Sequence, residues 1–177
     1  RHPIMYDLEL STLQFSILSS TVYLLIYAIM QLPVGFIVDR LGLKKSLFIG
    51  CSICAVSAFG FAYAHNYNLA IFFRFLTGLG SSFGFICMLI SVYDWMPRRH
   101  LALLIGVSQF IGTMGPMLSA GPLEMMAESG QTDWRSVFLA LGVASAGLSV
   151  VIALFVKNNQ EKAGRFVVLK RPESIVK

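Results

Sequence analysis

The sequence predicts an all-α fold, a polytopic bundle of transmembrane helices, and three observations support this prediction. Hydrophobic residues make up 56% of the 177 residues and charged residues only 13%, whereas soluble domains carry about 25% charged residues. The apolar residues lie in long runs, several of which reach the roughly 20 residues that a helix needs to cross the hydrocarbon core of a bilayer. The basic residues concentrate in the connections on one side of these runs. We therefore expect the lipid bilayer to surround most of the chain.

The first three elements are apolar runs that end at polar or proline-containing connections. Residues 13–38 form the first predicted helix, which stops at a charged turn. Residues 46–64 form the second, which stops before the polar stretch His65–Asn68. Residues 69–92 form the third, and Pro97 should stop it because proline cannot continue the hydrogen-bond ladder of a helix.

The last two predicted helices cover residues 101–123 and residues 136–156, and a polar, acidic connection joins them. The tail at residues 157–177 is basic and polar, and we expect it to form a linker or a short helix on the membrane surface. No connection between the helices is long enough to hold a soluble domain.

The distribution of basic residues predicts the orientation of these helices. Eleven of the 14 Lys and Arg residues lie on one side of the predicted helices: three in residues 39–45, two in residues 94–100 and six in the tail. Two lie on the other side, and one is inside a helix. Under the positive-inside rule, residues 1–12 are extracytoplasmic and the tail is cytoplasmic, and we expect the cell (inner) membrane. No nucleic acid is expected as a partner, because basic and aromatic residues do not interleave.

The sequence lacks the residue patterns of an enzyme, so no enzymatic activity is predicted. It contains no paired carboxylates, no metal-ligand spacing, no nucleophile with a nearby base and no phosphate-binding loop. No cofactor and no metal are therefore expected. Cys51 and Cys54 form a C-x-x-C pattern inside an apolar run, and we interpret them as small apolar residues rather than zinc or redox ligands.

A charged motif joins the first two predicted helices, and residues 35–45 read G-F-I-V-D-R-L-G-L-K-K. This motif resembles the signature G-x-x-x-D-R-x-G-R-K, which the major facilitator superfamily carries between its second and third helices. In that family the loop latches the cytoplasmic ends of the two halves in the outward-facing state. The alternative is a solvated loop that only sets topology. The resemblance implies a conformational latch formed by Gly35, Asp39, Arg40, Gly42, Lys44 and Lys45, with Asp94 as their acidic partner.

Two further patterns resemble the same family. Residues 74–80 are similar to its R-x-x-x-G-x-G on helix four, and Trp134-Arg135 is similar to the pair at the outer end of its helix six. The resemblance implies that the chain holds five spans of a six-helix amino-terminal half and lacks the first transmembrane helix. The first helix and the carboxy-terminal half of the same transporter would then be its partners.

The fourth predicted helix only partly resembles the antiporter signature G-x-x-x-G-P-x-x-G-G of that family. A glycine–proline pair is present, but Ser119 and Ala120 replace the two final glycines. Small residues and a proline kink explain the stretch as a helix contact without antiport. We assign helix kinking and packing to Gly78, Gly80, Gly112, Gly115 and Pro116.

Arg74 is the one charged side chain well inside a predicted helix. Inserting an isolated arginine there costs at least about 2.5–3.5 kcal/mol, so it should face a watery cavity or a partner. We expect Arg74 either to bind an anionic group of a solute or to bias a nearby proton site. The alternative is a structural role, in which it bonds carbonyl groups of the first helix that this chain is expected to lack. On the first helix, polar side chains from Ser16 to Gln31 recur at steps of three or four and share one face. The predicted substrate or coupling path comprises Arg74, Tyr23, Tyr27, Gln31, Thr77, Ser81, Gln109 and Thr113, whose alternative role is helix packing.

Together these patterns predict a secondary active transporter for a small polar solute, which is anionic if Arg74 binds it. The resemblance implies alternating access around a site near the bilayer midplane, coupled to a proton or solute gradient as a symporter or antiporter. A proton-coupled multidrug efflux antiporter is one alternative. Another is a non-transporting membrane sensor or enzyme that uses the same fold.

Overall fold

The long apolar runs form helices in the computed structural model, which describes residues 3–95, 98–128 and 133–156. Within these ranges no residue lies in a strand, so the predicted all-α class is confirmed. The predicted tail at residues 157–177 lies outside the described residues. The helices are α1 (Pro3–Asp7), α2 (Thr12–Leu41), α3 (Leu43–Ala62), α4 (Tyr67–Trp95), α5 (Leu101–Glu128) and α6 (Trp134–Phe155), with a 3-10 turn at Arg98–His100.

Within the described residues, four helices (α2, α3, α4 and α6) are long and apolar enough to cross a membrane, with mean hydropathies from 1.6 to 2.5. Helix α5 contributes a shorter apolar stretch, Leu101–Met114. Many large apolar side chains point outward; Leu32 is 78% exposed and Phe155 is 76% exposed. Exposing such side chains to water is unfavourable, whereas exposing them to the hydrocarbon of a bilayer is not. The chain is therefore part of an integral, multi-pass membrane protein.

The long helices overlap the five predicted spans, and each continues beyond its span at one end or both. The largest extension is in α5, which reaches Glu128, whereas the hydropathy pattern predicts a polar connection from Glu124. Residues 124–128 read E-M-M-A-E, and these residue types are among the strong helix formers. Hydropathy detects only the apolar part of a helix, so the polar ends of a helix have to be predicted from helix propensity.

The turn between α2 and α3 depends on Gly42, whose backbone has φ 79° and ψ 166°. Its N–H donates to the Val38 carbonyl oxygen at 2.9 Å, and its carbonyl oxygen accepts from the Ser46 N–H at 3.2 Å. A single residue therefore ends one helix and begins the next. Glycine adopts this backbone region readily, whereas a residue with a Cβ would be strained.

A π-helical turn at Ile17–Thr21 interrupts the α geometry of α2. The N–H of Val22 donates to the carbonyl oxygen of Ile17, an i→i+5 bond. Because this turn holds one residue more than an α-turn, the register of the helix shifts by about 100° across it. The polar face expected to run from Ser16 to Gln31 is therefore broken at this turn, and its regular part begins at Tyr23.

Helix α3 packs between α4 and α6, and both α2 and α5 pack against α4. Glycines bring two of these helix pairs close together. A Cβ on Gly80 would lie 3.0 Å from the Gly50 carbonyl oxygen and 2.7 Å from Cys54 Sγ, at the contact of α3 with α4. A Cβ on Gly78 would lie 2.8 Å from the Tyr23 carbonyl oxygen, where α2 meets α4. Small residues allow this approach of two backbones inside a membrane.

A buried cluster closes the end of the bundle at which α6 begins, and we call it the Trp134 cluster. The Trp134 indole Nε1–H donates to Asp7 Oδ2 at 2.9 Å. Arg135 Nη1 donates to the Ala62 carbonyl oxygen at 2.8 Å, and its Nη2 lies 3.8 Å from Asp7 Oδ2. The first turn of α6 is thus bonded to the end of α3 and to α1. The cluster comprises Ile4, Leu8, Leu10, Leu18, Phe61, Ala64, Ala70 and Trp134.

Candidate functional site

The centre of the candidate site is Arg74, which α4 carries into the interior of the bundle. Its Nε is buried and has no hydrogen-bond partner among the described residues. Its Cζ lies over the ring of Phe61, 4.6 Å from the centroid, and 5.4 Å from the centroid of Phe138. Phe61 belongs to α3 and Phe138 to α6. The guanidinium is therefore held by two aromatic rings from other helices, and it keeps an unused N–H donor.

The regular part of α2 brings three of the predicted path residues beside this helix. Tyr23 and Tyr27 stack, with ring centroids 5.9 Å apart and ring planes at 22°. A Cβ on Gly78, one turn from Arg74 on α4, would lie 2.8 Å from the Tyr23 carbonyl oxygen, so Tyr23 belongs to the part of α2 that packs beside this stretch of α4. The side chains follow one another along α2 because residues four apart share a helix face.

Two polar atoms of this group are buried without a partner among the described residues, Gln31 Oε1 and Arg74 Nε. One is a hydrogen-bond acceptor and the other a donor. Buried polar atoms in proteins are normally bonded to protein groups or to water, so an orphaned pair calls for an explanation. Polar groups of a ligand would satisfy either atom, and so would polar groups of a further helix.

The structure places Thr77 and Ser81 in the contact between α3 and α4. Thr77 Oγ1 lies 3.1 Å from Ser57 Oγ and 2.9 Å from the Phe73 carbonyl oxygen, and Ser57 is fully buried. Ser81 Oγ lies 4.0 Å from Cys54 Sγ. These hydroxyl groups take part in helix-to-helix contacts, and the contacts of the described residues do not connect them to Tyr23, Tyr27 or Gln31.

Helix α5 carries the other two predicted path residues, Gln109 and Thr113, both of which are exposed. Thr113 Oγ1 lies 3.0 Å from the Gln109 carbonyl oxygen and 2.9 Å from that of Phe110, contacts within its own helix. A Cβ on Gly112 would meet nothing within 4 Å. The surroundings of Gly115 and Pro116 lie outside the description of side chains, although both residues belong to α5.

The predicted latch residues surround the α2–α3 turn. Asp39, Arg40 and Lys45 are exposed, and a Cβ on Gly35 would meet nothing within 4 Å. Among the side chains that the structure describes, Asp39 and Arg40 form no ion pair. Gly42 makes the turn, Lys44 is half-buried beside it, and the side chain of Asp94 lies outside the description.

Sequence reasoning missed three residues of this region, Asp7, Phe61 and Phe138. The two phenylalanines contact Arg74, but nothing marks them among the 14 phenylalanines of the chain. Asp7 accepts the Trp134 hydrogen bond from a segment that hydropathy leaves without structure. A signal for Asp7 was available in its charge, because it is one of only nine acidic residues.

The fold defines a helical, multi-pass membrane protein in which a half-buried arginine on α4 has a buried Nε without a partner among the described residues. Its sequence matches the Major Facilitator Superfamily over residues 2–176. The chain therefore belongs to this family, and the resemblance drawn from residues 35–45 is confirmed.

Several curated proteins are similar to the chain. The probable sulfoacetate transporter SauU of Cupriavidus necator is 25% identical over 162 residues, which cover 92% of this chain and 37% of that protein. Solute carrier family 22 member 6 of Rattus norvegicus is 32% identical over 120 residues, 66% of this chain and 21% of the relative. The probable L-galactonate transporter of Escherichia coli is 27% identical over 162 residues, 89% of this chain and 34% of the relative. The chain thus spans 21–37% of the length of these relatives.

Proposed function

We propose that the protein containing this chain is a secondary active transporter that moves a small organic anion across the membrane by alternating access. The observation that carries the proposal is the half-buried Arg74, whose buried Nε has no partner among the described residues. Membership of the Major Facilitator Superfamily supports transport as the activity. Sulfoacetate and L-galactonate, the solutes in the names of two relatives, are both anions at neutral pH.

The chemistry of the guanidinium group favours a carboxylate or sulfonate as the bound group. Arginine stays charged, and its planar fork of N–H donors fits two oxygen atoms of such a group. In a site that excludes water, the attraction between the two charges is screened less than in bulk water. Tyr23, in the part of α2 that packs beside this stretch of α4, would then bond a second polar group of the same solute, and Tyr27 and Gln31 would continue the polar path along α2.

The remaining functional assignments are part of this proposal. The charge asymmetry supports an extracytoplasmic position for residues 1–12 and a cytoplasmic α2–α3 turn. Asp39, Arg40 and Asp94 would act as the conformational latch at that turn. Gln109 and Thr113 would line the path once the first helix and the second half of the transporter are in place. A proton or solute gradient would drive transport, and a protonatable carboxylate in the path would come from those parts.

The test is solute uptake by the full-length protein in proteoliposomes. Radiolabelled pools of small organic acids, neutral sugars and cationic drugs are offered to the wild type and to Arg74→Gln. We expect uptake from the organic-acid pool and an increase of KM by about 10–100-fold in Arg74→Gln, since a charge-assisted bond is lost. Arg99→Gln is the matched control, because Arg99 is exposed in the 3-10 turn, and its uptake should equal that of the wild type.

Three outcomes would reject parts of the proposal. Anion uptake with an unchanged KM in Arg74→Gln would remove Arg74 from the path. Uptake of cationic drugs alone, driven by a proton gradient, would instead support a multidrug antiporter. Absence of uptake and of counterflow for every pool, in protein whose folding has been verified, would support a sensor or enzyme on the same fold.

A further inference from the structure

The position of the Arg74 guanidinium is set by two aromatic rings that do not use its N–H donors. Phe61 and Phe138 contact each other, with ring centroids 4.5 Å apart and planes at 45°, and the Arg74 Cζ lies within 4.6 Å and 5.4 Å of the two centroids. A ring attracts a cation through its π face. Carbonyl or carboxylate partners would instead occupy the N–H groups. The two rings can therefore hold the cation and leave its donors available.

These rings are themselves anchored at the Trp134 cluster. Trp134 meets Phe61 edge-to-face at 5.8 Å and Phe138 edge-to-face at 6.1 Å between ring centroids. Trp134 is only 6% exposed, and its indole is fixed by the 2.9 Å hydrogen bond to Asp7. An edge-to-face pair depends on the orientation of both rings. The bond to Asp7 thus restrains Trp134, and Trp134 restrains the two phenylalanines.

The backbone beside Phe61 is restrained in the same region. Arg135 Nη1 donates to the carbonyl oxygens of Ala62 at 2.8 Å and Ala64 at 3.4 Å. The Ala62 carbonyl is one of those that the end of α3 leaves without an intrahelical partner, and Ala64 lies two residues beyond the end of that helix. The last turn of α3, which carries Phe61, is therefore tied to the first turn of α6, which carries Trp134 and precedes Phe138.

We propose that Phe61 and Phe138 are positioning residues for Arg74, and that the Asp7–Trp134 hydrogen bond supports them. The rings act through the arginine and do not touch the solute. This inference rests on the proposed function, because it explains how the guanidinium that binds the organic anion is held in position. It adds that affinity for the organic anion depends on aromatic side chains that lie behind the arginine and on a carboxylate at the end of the bundle.

The test compares Phe138→Leu with Phe138→Tyr in the full-length transporter. Leucine keeps an apolar side chain but removes the ring, whereas tyrosine keeps the ring. We expect KM for the organic anion to rise roughly tenfold in Phe138→Leu, with kcat changed much less, and to return close to the wild-type value in Phe138→Tyr. Phe155→Leu is the matched control on the same helix, because Phe155 is 76% exposed, and its KM should stay unchanged.

A second readout separates positioning from loss of folding. Thermal unfolding in detergent, with and without the organic anion, measures both the stability of each variant and the stabilisation by the ligand. Phe138→Leu should lose ligand stabilisation at anion concentrations that still stabilise Phe155→Leu. Trp134→Phe, which removes the indole N–H and keeps a ring, should raise KM in the same direction by a smaller factor.

The outcomes distinguish this inference from the proposed function. If Arg74→Gln leaves uptake and ligand stabilisation unchanged, the proposed role of Arg74 fails. If Arg74→Gln loses both but a folded Phe138→Leu keeps the wild-type KM and ligand stabilisation, the positioning role is overturned while the transporter proposal stands. A KM close to the wild-type value in Phe138→Tyr, together with a raised KM in Phe138→Leu, supports the role of the ring.

Discussion

Arg74 and Arg135 are satisfied in different ways, although both lie within the same bundle. Arg135 donates to the Ala62 carbonyl oxygen, lies over the Trp134 ring at 4.5 Å and faces Asp7. The Nε of Arg74 has no partner among the described residues, and a buried donor of this kind costs about 1–3 kcal/mol. Arg135 therefore has the contacts of a structural residue, whereas Arg74 retains hydrogen-bonding capacity for a ligand.

This difference predicts that Arg135→Met lowers stability. The substitution keeps an apolar stem but leaves the carbonyl oxygens at the end of α3 and the Asp7 carboxylate without this partner. We expect the free energy of unfolding to fall by about 1–3 kcal/mol, measured by thermal or denaturant unfolding in detergent.

Arg99→Met is the control for this measurement. Arg99 is exposed in the 3-10 turn, so its substitution should change stability by less than about 0.5 kcal/mol. Equal effects of the two substitutions would contradict the structural role of Arg135.

At the scale of the helices, close packing depends on small residues at defined positions. Gly80 and Gly84 lie one helical turn apart on α4, but only Gly80 faces α3 closely. A Cβ on Gly80 would be 3.0 Å from the Gly50 carbonyl oxygen, whereas a Cβ on Gly84 would meet nothing within 4 Å. The two glycines therefore form a matched pair for testing the helix contact.

We predict that Gly80→Ala destabilises the bundle, while Gly84→Ala leaves it unchanged or more stable. The added methyl group must push α3 and α4 apart, at a cost of about 1–3 kcal/mol, whereas alanine at a free helical position gains up to about 1 kcal/mol over glycine. Unfolding of the purified variants in detergent measures both effects.

A double substitution sharpens the test of this contact. A Cβ on Gly80 would lie 2.7 Å from Cys54 Sγ, so Cys54→Ala should restore part of the stability lost in Gly80→Ala. If Gly80→Ala and Gly84→Ala have the same stability, the close approach at Gly80 is wrong.

The helices could be predicted from the sequence because hydropathy measures the property that a bilayer selects. The all-α class followed from the length and composition of the apolar runs, and the family followed from residues 35–45. The π-turn at Ile17–Thr21 could not be predicted in this way, since a periodicity argument assumes one constant register. The polar end of α5 was missed because Glu124–Glu128 forms helix by propensity rather than by hydropathy.

Prediction of the candidate site was limited for a different reason. Arg74 is conspicuous in the sequence because a charge inside a membrane helix is costly. Phe61 and Phe138 are not, because aromatic residues are ordinary in apolar runs and only the packing of three helices brings them to the guanidinium. Thr77 and Ser81 have the polar character of path residues, but their contacts are with Ser57 and Cys54. Spacing along a helix shows which residues share a face, not which neighbour that face meets.

At the scale of the whole molecule, the two ends of the bundle differ in composition. One end carries the Trp134 cluster with the Asp7–Arg135 pair. The other carries the α2–α3 turn, with Arg40, Lys44 and Lys45, and the 3-10 turn. The positive-inside rule compares the basic residues of the connections, and it predicts that the Trp134 end faces outward and the α2–α3 turn faces the cytoplasm.

Labelling of single cysteines in intact cells tests this orientation. Glu9 and Arg99 are both exposed and lie at opposite ends of the bundle, so Glu9→Cys and Arg99→Cys are introduced separately into the full-length protein after its native cysteines have been replaced. A membrane-impermeant maleimide should label Glu9→Cys in intact cells and Arg99→Cys only after permeabilisation. The reverse pattern would invert the topology, placing the predicted latch on the outer surface. It would then be unable to close the cytoplasmic side, so the latch role of Asp39 and Arg40 depends directly on this result.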